Sequence, residues 1–354
     1  MQSSCYIDFK YGPYFLQPSH DSTVSSFLTH WTKPGIVYVF SKNKGMAHDE
    51  DIYNNEDIYN IMNAEFAPSR TLVSDFLMLI KFRIGLMVVF STFVGYVLGT
   101  GTVFSPIALF HVLFATFLTT SGTGVLNQVM ERECDGRMWR TADRPLPAGR
   151  IAPEAAYWFG LILSGMGIVY LGVLANWLTG VMGALTVVVY LLVYTPLKPK
   201  TAHNTAVGAI AGALPPVGGW TAATGVLSGE ALALFGILFL WQFPHFLSIA
   251  WLYREDYARG GLCMLPVEDP QGDRTAHQMV LYSLVLLSCS LMPALLGMAG
   301  VIYFGVAILL GFGLLQASFT FARSRTDEKA RRVMRATLIY LPVLWLVMML
   351  DKIA

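Results

Sequence analysis

The sequence predicts an all-α polytopic membrane protein of about nine transmembrane helices with a cytoplasmic N-terminus. Three observations carry that expectation. Only 13% of the 354 residues are charged and 55% are hydrophobic, whereas a soluble domain carries about 25% charged residues. Uncharged runs long enough to cross a hydrocarbon core of about 30 Å, which takes about 20 helical residues, recur along the chain. The polar intervals between these runs alternate between basic and uncharged. This composition excludes a soluble enzyme of ordinary domains, a disordered chain and a free-standing nucleic-acid binder. The net charge of +1 gives no reason to expect a nucleic acid as partner. Cys5, Cys134, Cys263 and Cys289 are widely separated, with no C-x-x-C pair, and suggest neither a disulfide framework nor a zinc site.

The expected spans are residues 76–98, 106–126, 155–174, 177–194, 206–222, 231–252, 279–296, 301–321 and 336–350. The first carries Lys81 and Arg83 in its entry turn, and the last is short. Arg132, Arg137, Arg140, Arg144 and Arg150 lie between spans two and three, and Lys198 and Lys200 between four and five. Arg254, Arg259 and Arg274 follow span six. Arg323, Arg325, Lys329, Arg331, Arg332 and Arg335 follow span eight. Intervals 99–105, 175–176, 224–230 and 298–300 contain no Lys or Arg. The positive-inside rule therefore puts the basic loops and the N-terminus in the cytoplasm and leaves Asp351 and Lys352 on the far side.

Residues 1–70 form a polar extension to the intramembrane domain, 71–354, with five Lys/Arg against eight Asp/Glu. They have no apolar h-region for a secretory signal, and no Arg precedes Arg70, which argues against a mitochondrial presequence. A bacterial inner membrane is therefore expected over a mitochondrial one. EDIYNN at 50–55 is nearly repeated as EDIYNIM at 56–62. A disordered or loosely helical tail is expected here, and Met46 is a candidate alternative start.

Ionisable groups near a bilayer are costly and tend to be functional. They gather on the basic side, after the even-numbered spans. Asn127, Glu131 and Asp135 are spaced i, i+4, i+8 and share one face of a helix running out of span two. An amide oxygen and two carboxylates make a hard-oxygen site suited to Mg²⁺ with phosphate oxygens as further ligands. Arg137, Arg140 and Arg144 follow, and guanidinium forks suit phosphate. The plainer alternative is a solvated loop whose arginines only set topology. Tyr194 and Lys198 leave span four together, as phosphate binders or as an interfacial aromatic and a snorkelling Lys. His245 follows Pro244 inside span six, a ligand or, more often for a lone intramembrane His, a hydrogen-bonded packing residue. Glu255 and Asp256 just beyond it diverge by about 100° on a helix and cannot both face one metal.

Taken together, these stretches resemble the UbiA-type intramembrane prenyltransferases, and within them the heme-farnesylating family of protoheme IX farnesyltransferases (heme O synthases). The residues are Asn127-x-x-x-Glu131-x-x-x-Asp135, then Arg140-Thr141-x-x-Arg144-Pro145-Leu146-Pro147, then Tyr194-Thr195-x-x-Lys198. Gly212-Ala213-Leu214-Pro215-Pro216, Trp241-Gln242-x-Pro244-His245-Phe246, Asp256-Tyr257 and Met264-Leu265-Pro266 follow in the family's order. The match runs from about Phe76 to the C-terminus. Two departures stand out. Leu252 occupies the first position of a D-x-x-x-D motif ending at Asp256, and Phe82 stands where Lys-Pro-Arg is usual.

The resemblance implies farnesyl transfer from farnesyl diphosphate to the 2-vinyl group of heme b, giving heme o for a terminal oxidase. It implies Mg²⁺ on Asn127, Glu131 and Asp135, with Asp256 assisting a second ion or orienting the first. Lys81, Arg140, Arg144, Lys198 and Arg259 would bind diphosphate or heme propionates. Tyr194 would shield the allylic cation or bond the diphosphate, and His245 would contact heme. Heme A synthase or oxidase assembly factors are the candidate protein partners. The rival readings are a sister prenyltransferase acting on another aromatic such as 4-hydroxybenzoate, and a secondary transporter. The one-sided acids and the lack of an inverted repeat weigh against the transporter.

Overall fold

The computed structural model describes residues 71–101 and 104–352, together with a short antiparallel pairing of Asp8–Phe9 with Gly12–Pro13. Met46 and the EDIYN repeat lie outside the described residues. The chain divides into two units, Met1–Thr71 and Leu72–Ala354, and everything below concerns the second.

That unit is helical throughout. In chain order its elements are α1 (Leu72–Leu79), α2 (Phe82–Gly99), α3 (Pro106–Arg137), α4 (Pro153–Leu174) and α5 (Trp177–Leu197). They continue as α6 (Asn204–Thr224), α7 (Gly229–Leu252), α8 (Arg254–Arg259) and α9 (Leu265–Glu268). The last are α10 (Asp273–Cys289), α11 (Met292–Leu295), α12 (Val301–Ser324) and α13 (Asp327–Leu350). Among the described residues eight helical segments are long and apolar enough to cross a membrane. The protein is an integral multi-pass membrane protein. The remaining expected span, 206–222, is also a helix, α6, but a less apolar one. It is rich in Gly, Ala and Pro and largely buried, so its neighbours rather than lipid surround much of it. Gly95 and Gly219 set how closely α2 and α6 cross. A Cβ on Gly95 would lie 1.9 Å from the Pro216 carbonyl oxygen, and one on Gly219 would lie 2.0 Å from that of Thr92. The main apolar core joins α6, α7, α10, α12 and α13 around Trp345, Tyr303, Tyr340 and Phe321.

Three expectations change. The first span is not one helix: α1 stops at Leu79 and α2 starts at Phe82, with Lys81 between them in the left-handed region (φ 51°). Gln128 Nε2 donates to the carbonyls of Leu79 (2.6 Å) and Met78 (3.2 Å), so the orphan acceptors at the end of α1 are met by a side chain of α3. Span two extends as helix to Arg137, well past residue 126, and this extension carries the acids. The last span begins at Asp327 rather than 336, because the Thr326 side chain caps its N-terminus by accepting from Lys329 N. Lys329, Arg331, Arg332 and Arg335 therefore sit on the opening turns of α13, not in a loop. At the opposite end of the bundle Lys352 Nζ donates to the carbonyls of Val97 and Thr100. Asp351 accepts from Tyr303 N at 2.7 Å. Asp351 and Lys352 thus lie with the ends of α2 and α12 that carry no Lys or Arg.

Candidate active site

The site is built around the extension of α3. Asn127 is fully buried, Asp135 is 1% exposed and Glu131 is 9% exposed. Their spacing puts all three on one face, and each meets a cation from a different segment. Lys81 Nζ donates to Asn127 Oδ1 at 2.6 Å. Lys198 Nζ lies 2.6 Å from Glu131 Oε1, and Arg144 Nη1 lies 2.6 Å from Asp135 Oδ2. The left-handed turn at Lys81 follows from this. A continuous helix would have no break from which the lysine could be aimed at Asn127. Asn127 Nδ2 in turn donates to Thr195 Oγ1 (3.0 Å), and that hydroxyl donates to the Tyr190 carbonyl (2.8 Å). This last bond falls in the widened π turn Val189–Tyr194 of α5. The Tyr190 carbonyl accepts there from both the Thr195 N–H, in the i→i+5 pattern of a π turn, and the Thr195 hydroxyl.

Lys198 leans over the Tyr194 ring at 4.6 Å, and the Tyr190 and Tyr194 rings lie 5.1 Å apart. Burial alone would lower the Lys198 ammonium, but contact with Tyr194 and Glu131 raises it above its ordinary value. Lys81 goes the other way. Burial, reinforced by the Arg144 guanidinium, lowers it to about 7. An anion placed beside it favours the charged form.

The loop after α3 is held by Asp256. This carboxylate accepts from Trp139 N (3.2 Å) and Arg140 N (3.4 Å) and pairs with Arg259. Asp256 thus anchors the loop that carries Arg140 and Arg144. Glu255 beside it is exposed, as their divergence on a helix requires. Arg140 lies over the Tyr253 and Tyr257 rings at 4.9 and 5.6 Å, and Arg259 over Trp139 at 3.3 Å. His245 stands apart, in the seam between α7 and α13. Its Nδ1 is 2.9 Å from Thr337 Oγ1 and its ring stacks on Trp241 at 4.6 Å.

The structure thus brings together Asn127, Glu131, Asp135, Lys81, Lys198, Tyr194 and Arg144, sets Arg140, Asp256 and Arg259 as an adjoining cluster, and leaves His245 elsewhere. Sequence reasoning gave no site role to Gln128, to Thr195 or to the pair Asp75–Arg150, in which the guanidinium grips the carboxylate at 2.9 and 3.0 Å. A polar residue next to Asn127 in an otherwise apolar helix was the available signal for Gln128. Nothing local marks the partners across 75 residues.

The donor chemistry suits Mg²⁺. Among the described residues no three His, Cys, Asp or Glu side chains form a metal cage. Mg²⁺, however, commonly binds through one or two carboxylates with substrate phosphates as further ligands. Asn127, Glu131 and Asp135 are the residues that would hold it. Five cations (Lys81, Arg140, Arg144, Lys198, Arg259) face three carboxylates, an excess of positive charge that fits a diphosphate.

Known proteins resemble this chain over most of its length. A protoheme IX farnesyltransferase of Solibacter usitatus is 46% identical over 287 residues, covering 78% of this chain and 98% of that protein. One from Salinibacter ruber is 46% identical over 278 residues, covering 78% and 98%. Among solved structures, a study of digeranylgeranylglyceryl phosphate synthase superposes with a TM-score of 0.68 at 17% identity, over 79% of this chain and 98% of that one. A UbiA homolog from Archaeoglobus fulgidus bound to GPP and Mg²⁺ superposes with a TM-score of 0.57 at 16% identity, over 78% and 99%. These two likenesses concern the fold. The model of the UbiA prenyltransferase family matches residues 88–342, which takes in the whole acidic face of α3, the Tyr194–Lys198 turn and Asp256. With its helices, its one-sided charges and these matches in accord, the chain belongs to the UbiA prenyltransferase family.

Proposed function

We propose that this protein transfers the farnesyl group of farnesyl diphosphate to the 2-vinyl group of heme b, giving heme o, in a bacterial inner membrane with its active site on the cytoplasmic face. The observation that carries the reading is the buried α3 face, where an amide and two carboxylates each meet a cation from another segment. The acceptor follows from the Arg140–Pro147 and Trp241–Phe246 phrases and from relatives named for protoheme IX. The one-sided distribution of basic residues supports the orientation.

In this reading Lys81, Lys198 and Arg144 bind the diphosphate, and Arg140 and Arg259 take its outer oxygens or the heme propionates. When bound, Mg²⁺ supplies positive charge to the departing phosphate oxygens. As the C1–O bond breaks, charge grows on the leaving group, and the prearranged ammonium and guanidinium groups stabilise it where it appears. The terminal vinyl carbon forms the new bond to C1. The positive charge left on the carbon next to the porphyrin is quenched by water, which loses a proton and leaves the hydroxyl. Tyr190 and Tyr194 offer ring faces to the allylic cation. Asp256 acts by position, holding Arg140 and Arg144 through the loop backbone. His245, stacked on Trp241 and bonded at Nδ1 to Thr337, is proposed as a heme contact. The test is direct. Membranes containing the protein, given Mg²⁺, farnesyl diphosphate and heme b, should yield heme o by mass spectrometry. Prenylation of an aromatic acid with none of heme would overturn the proposal.

A further inference from the structure

Between Arg259 and α9 the chain runs through Gly260–Met264, a segment that carries no reacting group yet opens the Met264-Leu265-Pro266 phrase. It bridges two pieces of the site. On one side it packs against the end of α3. Leu262 and Met264 share an apolar cluster with Met138 and Ala250, and a Cβ on Gly260 would lie 2.9 Å from Met138 Cγ. On the other side it is bonded to the turn that follows α5. Cys263 N donates to the Lys198 carbonyl at 2.8 Å, and the Cys263 carbonyl accepts from Asn204 Nδ2 at 2.7 Å. The same amide nitrogen donates to the Thr201 carbonyl at 2.7 Å.

Lys198 stands just past the end of α5. Its carbonyl belongs with the acceptors that a helix end leaves without an intrahelical donor, and Cys263 supplies that donor from beyond α8. The backbone from which the ammonium reaches Glu131 is thereby tied to a second segment. Asn204, the first residue of α6, is fully buried, and its place calls for that side chain. One nitrogen meets two carbonyls, which takes two N–H donors on one uncharged group. Ser or Thr would offer a single donor, and an ionised Asp none.

We infer that Gly260–Met264 is a strap that sets the Lys198 ammonium for the substrate diphosphate, with Asn204 the positioning residue that fixes the strap to the Lys198 turn. The inference rests on the prenyl-transfer reading above, and it gives Asn204 no contact with the substrate. Because the strap also rests on Met138, at the start of the loop that carries Arg140 and Arg144, it holds cations from two loops in one frame.

Cys263 permits a test of one bond. The bond from Met264 N to the Leu262 carbonyl (3.0 Å) closes a γ-turn about Cys263. The φ of Cys263 is negative, so the turn is of the inverse kind, with φ about −75°, which proline accepts. Cys263→Pro therefore deletes the N–H that meets Lys198, whereas Cys263→Ala keeps that N–H and controls for the thiol. The experiment measures the Kd of farnesyl thiodiphosphate with Mg²⁺ by titration calorimetry on the full chain in detergent. Cys263→Pro and Asn204→Ala should each weaken binding about 10-fold or more, within the cost of misplacing a binding group. Cys263→Ala should stay within about 2-fold of the wild type. In a Lys198→Met background Asn204→Ala should add less than about 2-fold, because substitutions that act through one group are not additive. Equal Kd values for Cys263→Pro and Cys263→Ala, or an Asn204→Ala effect of the same size with and without Lys198, would overturn the strap. Either arm decides alone if the other variant does not fold. Failure of the wild type to bind the analogue, or to form heme o in membranes, would overturn the prenyl-transfer reading instead.

Discussion

Asp135 shows how little of the cost of a substitution here need reflect catalysis. Its carboxylate is buried against Arg144, whose side chain is 23% exposed. Asp135→Ala leaves that guanidinium without its partner, and breaking a buried pair costs about 3–5 kcal/mol, less where water can reach the survivor. Stability and activity would fall together. Asp135→Asn keeps the shape and a carbonyl oxygen but removes the charge, so it isolates the chemistry. Heme o formation should fall by about 100-fold or more, on the scale of losing one preorganised electrostatic group. The unfolding temperature in detergent should move much less than for Asp135→Ala. Lys81 allows the opposite separation. A non-glycine residue at φ 51° carries a backbone cost of about 1–2 kcal/mol, which Lys81→Gly relieves while deleting the ammonium. Loss of the bond to buried Asn127 Oδ1, about 1–3 kcal/mol, offsets that relief, so the expected result is little net change in stability and a KM for farnesyl diphosphate raised about 10-fold or more, read from initial rates.

At the level of elements, the joint between α1 and α2 depends on one amide. Gln128 supplies the donors for the carbonyls of Leu79 and Met78, and Gln128 is itself 1% exposed. Gln128→Leu strands those acceptors in the protein interior, at about 1–3 kcal/mol each. The joint should then open first. Limited trypsin digestion should cut at Lys81 or Arg83 at least several-fold faster than in the wild type, ahead of global unfolding. This joint also marks where sequence reading stopped. The shared face of Asn127, Glu131 and Asp135 on α3 was legible because helical periodicity is a local signal, whereas its burial comes from how the helices pack. The break at Lys81 was not, because a non-glycine residue in the left-handed region leaves no mark in composition. It is imposed by Asn127 and Gln128, nearly fifty residues away. The start of α13 was legible in principle from Thr326 and the acids Asp327 and Glu328 after it. Four basic side chains on its first turns obscured it, although long side chains of that kind reach the interface from within a helix. The reach of Thr195 to Asn127 and of Arg150 to Asp75 depends on how helices pack, which no single segment encodes.

At the scale of the whole molecule, the site is assembled from segments that meet only in the folded bundle. Lys81 comes from the α1–α2 joint, the acids from α3, Arg144 from the following loop, Lys198 from the exit of α5 and Asp256 from α8. In the structure these charges satisfy one another: Lys198 pairs with Glu131, Arg144 with Asp135 and Arg259 with Asp256. A divalent cation arriving alone meets carboxylates already neutralised by Lys198 and Arg144. A diphosphate arriving alone meets cations already paired with Glu131 and Asp135. Each ligand frees the partners the other needs, so the two should bind with positive coupling, and a coupling of about 1–3 kcal/mol is typical of linked sites. The measurement is thermal unfolding of the full chain in detergent with Mg²⁺, with a non-hydrolysable farnesyl thiodiphosphate, and with both. A ligand at about 100 times its dissociation constant stabilises by about 2.7 kcal/mol. The pair should therefore raise the unfolding temperature by clearly more than the sum of the two separate shifts. In Lys198→Met, where Glu131 has lost its counter-charge, Mg²⁺ alone should become stabilising and the excess over additivity should shrink. Additive shifts in the wild type, or an excess unchanged in Lys198→Met, would show that the resting ion pairs do not link the two ligands.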